Sequence, residues 1–185
     1  MNIFYLSHYP YLAAQWHCDA HVRKMVIEYA QLLSTAHRVL DGEMYYGRTT
    51  NNRKIKRWKM EDPKLEDGLM KASHVNHPSA VWARASYNNY KWLLDLWTEL
   101  LKEYHYRYGK SHACEGYMEL LSKFPKNIPS EYFTQPTPAM PDDVKDDCSI
   151  VSYRNYYIKY KQHLASWKNR VRPQWYGKEL GLRTA

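Results

Sequence analysis

Five residues between Tyr11 and His37 have the types and the spacing to do chemistry. His17, His21, Lys24, Glu28 and Gln31 step by four, three, four and three, which places them on one stripe of a helix. Lys24 supplies an amine that can attack a carbonyl or a sugar carbon once it is desolvated. Glu28, one turn on, can shuttle the proton, and His21 is a second general base. Arg84, further along the chain, offers a guanidinium that can clamp a phosphate or carboxylate through two bonds. Val22, Met25, Val26, Tyr29, Leu32, Leu33 and Ala36 occupy the opposite side of the helix, so it has a face to bury. A polar stripe of this kind also serves as a plain solvated face.

A second set of residues suits a polyanion. Arg53, Lys54, Lys56 and Arg57 crowd around Trp58 with no acid among them. Near the chain end, Arg172, Trp175, Tyr176 and Lys178 interleave cations with aromatic rings, the composition of a surface that clamps a backbone and stacks bases. The net charge of +8, and 18 tyrosines and 7 tryptophans against 3 phenylalanines, point the same way. The expected partner is DNA, with RNA the alternative. The basic stretch also reads as a solvated loop.

Metal chemistry has one candidate set, His17 and His21 one turn apart with His112 and Cys114. The first helix lacks the glutamate of a zincin, and neither a metal nor a cofactor is expected. No glycine-rich phosphate loop, dinucleotide fingerprint or nucleophile elbow is present. Three scattered cysteines make no disulfide framework. No run of residues is long enough for a membrane span or a signal peptide, so the expected location is the cytoplasm, that of the host if the chain is phage-encoded.

The elements that must position these residues are read as an all-α, mainly helical single domain over 1–185. Three long helices are predicted at about 11–40, 78–107 and 149–168, around Met25, Leu32, Val81, Leu93, Leu96 and Trp167. The first stops at Asp41-Gly42 and the second starts at Pro78. A basic insertion covers 43–73, with a short helix near 65–72, and another short helix lies near 115–123. Five prolines in 124–148 exclude a helix and predict an extended strap. The acids Asp142, Asp143, Asp146 and Asp147 precede the last helix and are read as capping its N-terminus. A basic, aromatic tail covers 170–185.

This order of features resembles the phage pyrimidine-dimer DNA glycosylase family, endonuclease V. The likeness rests on Leu12-Ala13-Ala14-Gln15 at the first helix and Ser73-His74-Val75 before the second. It continues through Ile128-Pro129-Ser130-Glu131-Tyr132 in the strap to Arg172-Pro173-Gln174-Trp175-Tyr176-Gly177-Lys178 in the tail. Asn76, His77, Pro78, Trp82 and Arg84 form a pattern shared with a further set of phage and bacterial proteins. The resemblance implies a three-helix, endonuclease V-like fold and a glycosylase/lyase acting on a flipped nucleotide. Two positions depart from it. The family's nucleophile is an N-terminal amine exposed by loss of the initiator Met, whereas Asn2 is bulky enough to keep Met1. The family's catalytic Glu aligns with Lys24. Three functions therefore stand as expectations: glycosylase/lyase chemistry through a Lys24 imine, base modification with His21 or Glu28 as base, and nucleic-acid binding alone.

Overall fold

The computed structural model describes residues 1–177. Its elements run α1 (Pro10–Trp16), α2 (Asp19–Asp41), β1 (Glu43–Arg48), β2 (Lys54–Lys59), α3 (Pro63–Gly68), α4 (Pro78–Ala85), α5 (Tyr87–Tyr108), α6 (Met118–Leu121) and α7 (Ser149–Tyr160). The predicted three-helix architecture is therefore corrected: the described residues hold seven α-helices and a two-stranded antiparallel sheet.

Two of the predicted long helices are broken, each at a residue with a local reason. The first breaks at His17 and Cys18, whose backbones are extended. The His17 Nδ1–H donates to Ala13 O at 2.6 Å and turns the ring into the core. The second breaks at Ser86, which has extended backbone and whose Oγ accepts from Asn89 N at 3.0 Å. Serine in that role caps a new helix, α5. The Tyr87 N–H, outside any helix ladder, donates to Pro129 O in the strap.

The Ser86 break explains a second correction. Carrying one helical phase from α5 back through α4 put Val81 and Ala85 on the buried side. The phase resets at the break, so Val81 is 45% exposed and Trp82 and Ala83 are buried instead. Trp167, also expected in the core, is only half-buried, because the last helix ends at Tyr160 and the chain goes on in turns. The insertion folds as a β-hairpin rather than a loop, and its short helix begins earlier than expected. There the Asp62 carboxylate accepts from Lys64 N at 2.8 Å ahead of Pro63.

α2 and α5 form the centre, with α1 against α5 and α4 against α2. Trp97 from α5 is fully buried and donates its indole N–H to Val26 O at 2.9 Å. Ile3, Phe4, Tyr5 and Leu6 run as a non-helical segment through the interior. Each large apolar side chain so buried stabilises the fold by about 1.5–3 kcal/mol. The strap 124–148 is non-helical apart from a 3-10 turn at Asp142–Val144. Among the described residues, no helix is long and apolar enough to cross a membrane.

Candidate functional site

A buried ion cluster fixes the tail to the helices. Arg107 on α5 is fully buried and donates to Glu103 at 2.6 Å, to Asp19 at 2.9 Å and to the Gln15 carbonyl at 2.9 Å. The Asp19 carboxylate also accepts from Ser166 Oγ and Lys168 N, which holds its pKa below the usual carboxylate range despite burial. Glu103 accepts a further bond from Arg170 at 2.8 Å. The indole N–H of Trp167 donates to Trp16 O at 3.0 Å.

With the tail laid down this way, a cleft of about 640 Å³ opens between the end of α1, α7 and residues 170–175. Gln15, Trp16, Arg154, Arg170, Arg172 and Trp175 line it. The Arg154 guanidinium lies 5.2 Å from the Trp16 ring and 5.4 Å from the Trp175 ring. It donates through Nε and Nη2 to the single carbonyl of Leu6, at 3.1 and 2.9 Å. Burial pulls its pKa down. Arg170 is neutralised by Glu103. Among the described residues no carboxylate lies within ion-pair distance of Arg154 or Arg172. Trp175 Nε1 is buried and has no partner among the described residues. Among the described residues the site therefore offers two guanidiniums without a carboxylate, an indole N–H without a partner and two large aromatic surfaces.

The residues expected to do chemistry are elsewhere and do not converge. Lys24 and Glu28 form an ion pair at 3.2 Å on α2, with the Lys24 side chain 69% exposed. The burial that a Lys24 imine requires is absent from that setting. His21 is buried: it stacks on Phe4 with ring centroids 4.1 Å apart, and its Nδ1 is hydrogen-bonded to the Tyr157 hydroxyl at 2.5 Å. Burial first, then the nearby His17, Lys161 and Lys24 charges, pushes its pKa down to about 3. His17 is fully buried, and burial takes it to about 4. Its Nε2 accepts from the Tyr29 hydroxyl at 2.9 Å, and that oxygen accepts from Phe4 N. Both histidines thus turn inward from the polar stripe. Arg84 is half-buried and donates to Val75 O at 2.8 Å, with no bond to His21, Lys24 or Glu28. His112 caps a distant 3-10 turn, and no three His, Cys, Asp or Glu among the described residues are grouped to hold a metal.

Lys54, Lys56, Arg57 and Trp58 stand on β2, with Arg53 in the loop before it. Of the tail residues, Arg172 and Trp175 line the cleft and Tyr176 lies beneath Arg172, 5.6 Å from its guanidinium. Lys178 falls outside the described residues. Trp16 carries no signal in the sequence, whereas Arg154 and Arg170 fall in the C-terminal run of interleaved basic and aromatic residues and Gln15 in the Leu12-Ala13-Ala14-Gln15 stretch. Trp16 and Arg154 are 138 positions apart, so no spacing rule joins them, although Arg154 does sit among the tyrosines of α7.

Comparison of the chain with protein-family models, curated proteins and solved structures finds no match, so its residues alone carry the functional reading.

Proposed function

We propose that the protein binds nucleic acid and that the cleft receives a nucleotide of the strand, its phosphate on Arg154 and Arg172 and its base against the indoles. The observation that carries this is Arg154, a half-buried cation held by one carbonyl and two indole rings and, among the described residues, lacking a carboxylate. Removing a guanidinium from water costs free energy that a paired anion recovers. A phosphate supplies that anion, and base–indole stacking adds about 1–3 kcal/mol per base. The net charge of +8 favours a polyanion over a lone carboxylate ligand. Of the three expected functions, the binding reading gains most, since Lys24, Glu28, His21 and Arg84 lie outside the cleft.

Titration of tryptophan fluorescence with a single-stranded DNA oligonucleotide at low salt tests the proposal. The oligonucleotide should quench the emission. Arg172→Ala removes an exposed cation without opening the core and should weaken binding about tenfold, the equivalent of about 1.4 kcal/mol. Trp175→Ala should weaken it further through lost stacking. An Arg172→Ala protein of unchanged affinity would move the ligand out of the cleft. A wild-type protein that binds no oligonucleotide at low salt would end the nucleic-acid reading.

A further inference from the structure

The β-hairpin stands apart from the cleft and has its own construction. Its root is fixed. The buried Arg38 donates to Trp58 O at 3.0 Å and to Leu69 O at 2.9 Å, and pairs with Glu66 at 2.6 Å. Glu66 in turn accepts from Met60 N. Its tip is closed by Thr49 and Arg53 pairing through their backbones, with Asn52 in the left-handed region at φ 58°. Between root and tip, Tyr45 and Tyr46 are 48% and 56% exposed, so neither face of the ribbon is covered by the body.

The register sorts the side chains. Arg48 pairs with Lys54, Tyr46 with Lys56 and Met44 with Trp58 on one face. The Lys54 ammonium lies 3.9 Å from the centre of the Tyr46 ring on that face. Its charged side chains are therefore all cations, and its three remaining positions are large and apolar or aromatic. The only acid on either strand, Glu43, sits at the root on the other face, opposite Lys59. Lysines alone would also protect an exposed edge from aggregation, but exposed Tyr45 and Tyr46 add nothing to that protection.

We infer that this ribbon enters the major groove of B-form duplex DNA, with the Arg48–Lys54–Lys56 face toward the base edges. The inference rests on the nucleic-acid reading above and names the form of the partner. A two-stranded ribbon fits a groove about 12 Å wide. Six residues of strand span about 20 Å, enough to cross it. Arg and Lys donate to guanine O6 and N7 there, and Met and aromatic side chains meet thymine methyls. A-form RNA keeps its major groove deep and narrow, which side chains cannot read.

The test compares the full-length protein with its Arg48→Ala/Lys54→Ala/Lys56→Ala variant on three probes: a duplex DNA, the single strand, and a duplex RNA of the same sequence. The triple variant should lose at least tenfold in duplex-DNA affinity. The slope of log affinity against log salt should flatten by less than about 2.7, the value for three lost phosphate contacts at about 0.9 each, because these side chains face base edges. Its single-strand affinity should stay that of the wild type, because the cleft is untouched. Methylation of guanine N7 should interfere with wild-type binding, and duplex RNA should compete poorly. Duplex-DNA affinity unchanged in the variant would overturn the ribbon while leaving the cleft standing. Equal binding of duplex RNA, or no N7 interference, would overturn the groove assignment. A wild-type protein that binds no probe would overturn both readings together.

Discussion

The ribbon and the cleft are both rich in cations and aromatic rings, yet they are built by opposite means. The ribbon's cations are solvated, and its partners are close along the chain, from Arg48↔Lys54 at the tip to Glu43↔Lys59 at the root. The cleft's Arg154 is half-buried and draws on Leu6, Trp16 and Trp175 from three distant parts of the chain. Solvated cations attract a polyanion at long range and act through counterion release, so salt weakens them. A desolvated guanidinium acts at contact distance and is screened far less. One protein can thus carry a salt-sensitive grip and a salt-resistant one, and variants in each region should separate the two.

The largest effect should come from the ion cluster beneath the cleft. Arg107→Ala leaves Glu103, 3% exposed, with Arg170 as its one remaining cation. Breaking a buried pair by removing one partner costs about 3–5 kcal/mol. Urea denaturation should show that loss. The same experiment on the ribbon triple variant should show almost none, and equal losses would erase the distinction between the regions.

Acid comes next, counted per residue. His17, His21 and His37 are buried neutral, with pKa values held by burial at about 4, 3 and 4. Their folded values lie below the unfolded value of about 6.5. The unfolded chain therefore takes up protons first, and stability is full above about pH 6.5 and falls as pH drops toward the folded values. By pH 4.5 each histidine removes on the order of 2–3 kcal/mol. The contributions of His17 and His21 do not simply add, because each depresses protonation of the other. Helical circular dichroism followed through an acid titration should show a transition beginning below pH 6.5. Its persistence unchanged in His21→Phe, which removes the titrating imidazole, would discount His21 as a contributor.

A smaller effect should appear at the ribbon's root. A Cβ at Gly42 would fall 2.6 Å from the Arg38 carbonyl oxygen, which is backbone and cannot swing aside. Gly42→Ala should cost about 1–3 kcal/mol, the range for overpacking. It should also re-aim the ribbon, lowering duplex affinity while single-strand affinity holds. An unaffected duplex affinity would show that the ribbon's aim does not matter.

Reading the sequence recovered what is local and periodic. The apolar faces of α2 and α5 follow from spacing, and Met25, Leu32, Leu93 and Leu96 are buried as that spacing demands. The breaks were harder. Neither His17-Cys18 nor Ser86 carries a proline or glycine, and each break is marked by a side-chain hydrogen bond that apolar spacing does not reveal. The histidines misled for a related reason. An imidazole in a polar stripe reads as solvent-facing until its ring nitrogens find partners, here Ala13 O, Tyr29 and Tyr157. The hairpin was obscured because its tip is Thr49-Thr50-Asn51-Asn52 rather than the Asn-Gly or Asp-Gly signal of tight hairpins. Arg172 and Trp175 were visible as composition. Their meeting with Arg154 and Trp16 was not, because it depends on a tail held by Asp19 and Glu103.

The bond from Arg154 to the Leu6 carbonyl spans 148 positions, whereas the ribbon's closest rung joins Arg48 to Lys54. Closing the longer loop costs roughly 3 kcal/mol more chain entropy than closing the shorter one. Contacts of that separation form late, after local ones have repaid their own cost. On a growing chain the ribbon is therefore complete more than a hundred residues before the cleft's far wall has been made. Until α7 arrives, the apolar segment from Ile3 to Leu6 has no roof. The order of assembly that follows is ribbon first and cleft last, so that a chain cut short before the tail keeps the means to meet a polyanion and lacks the place to hold a nucleotide.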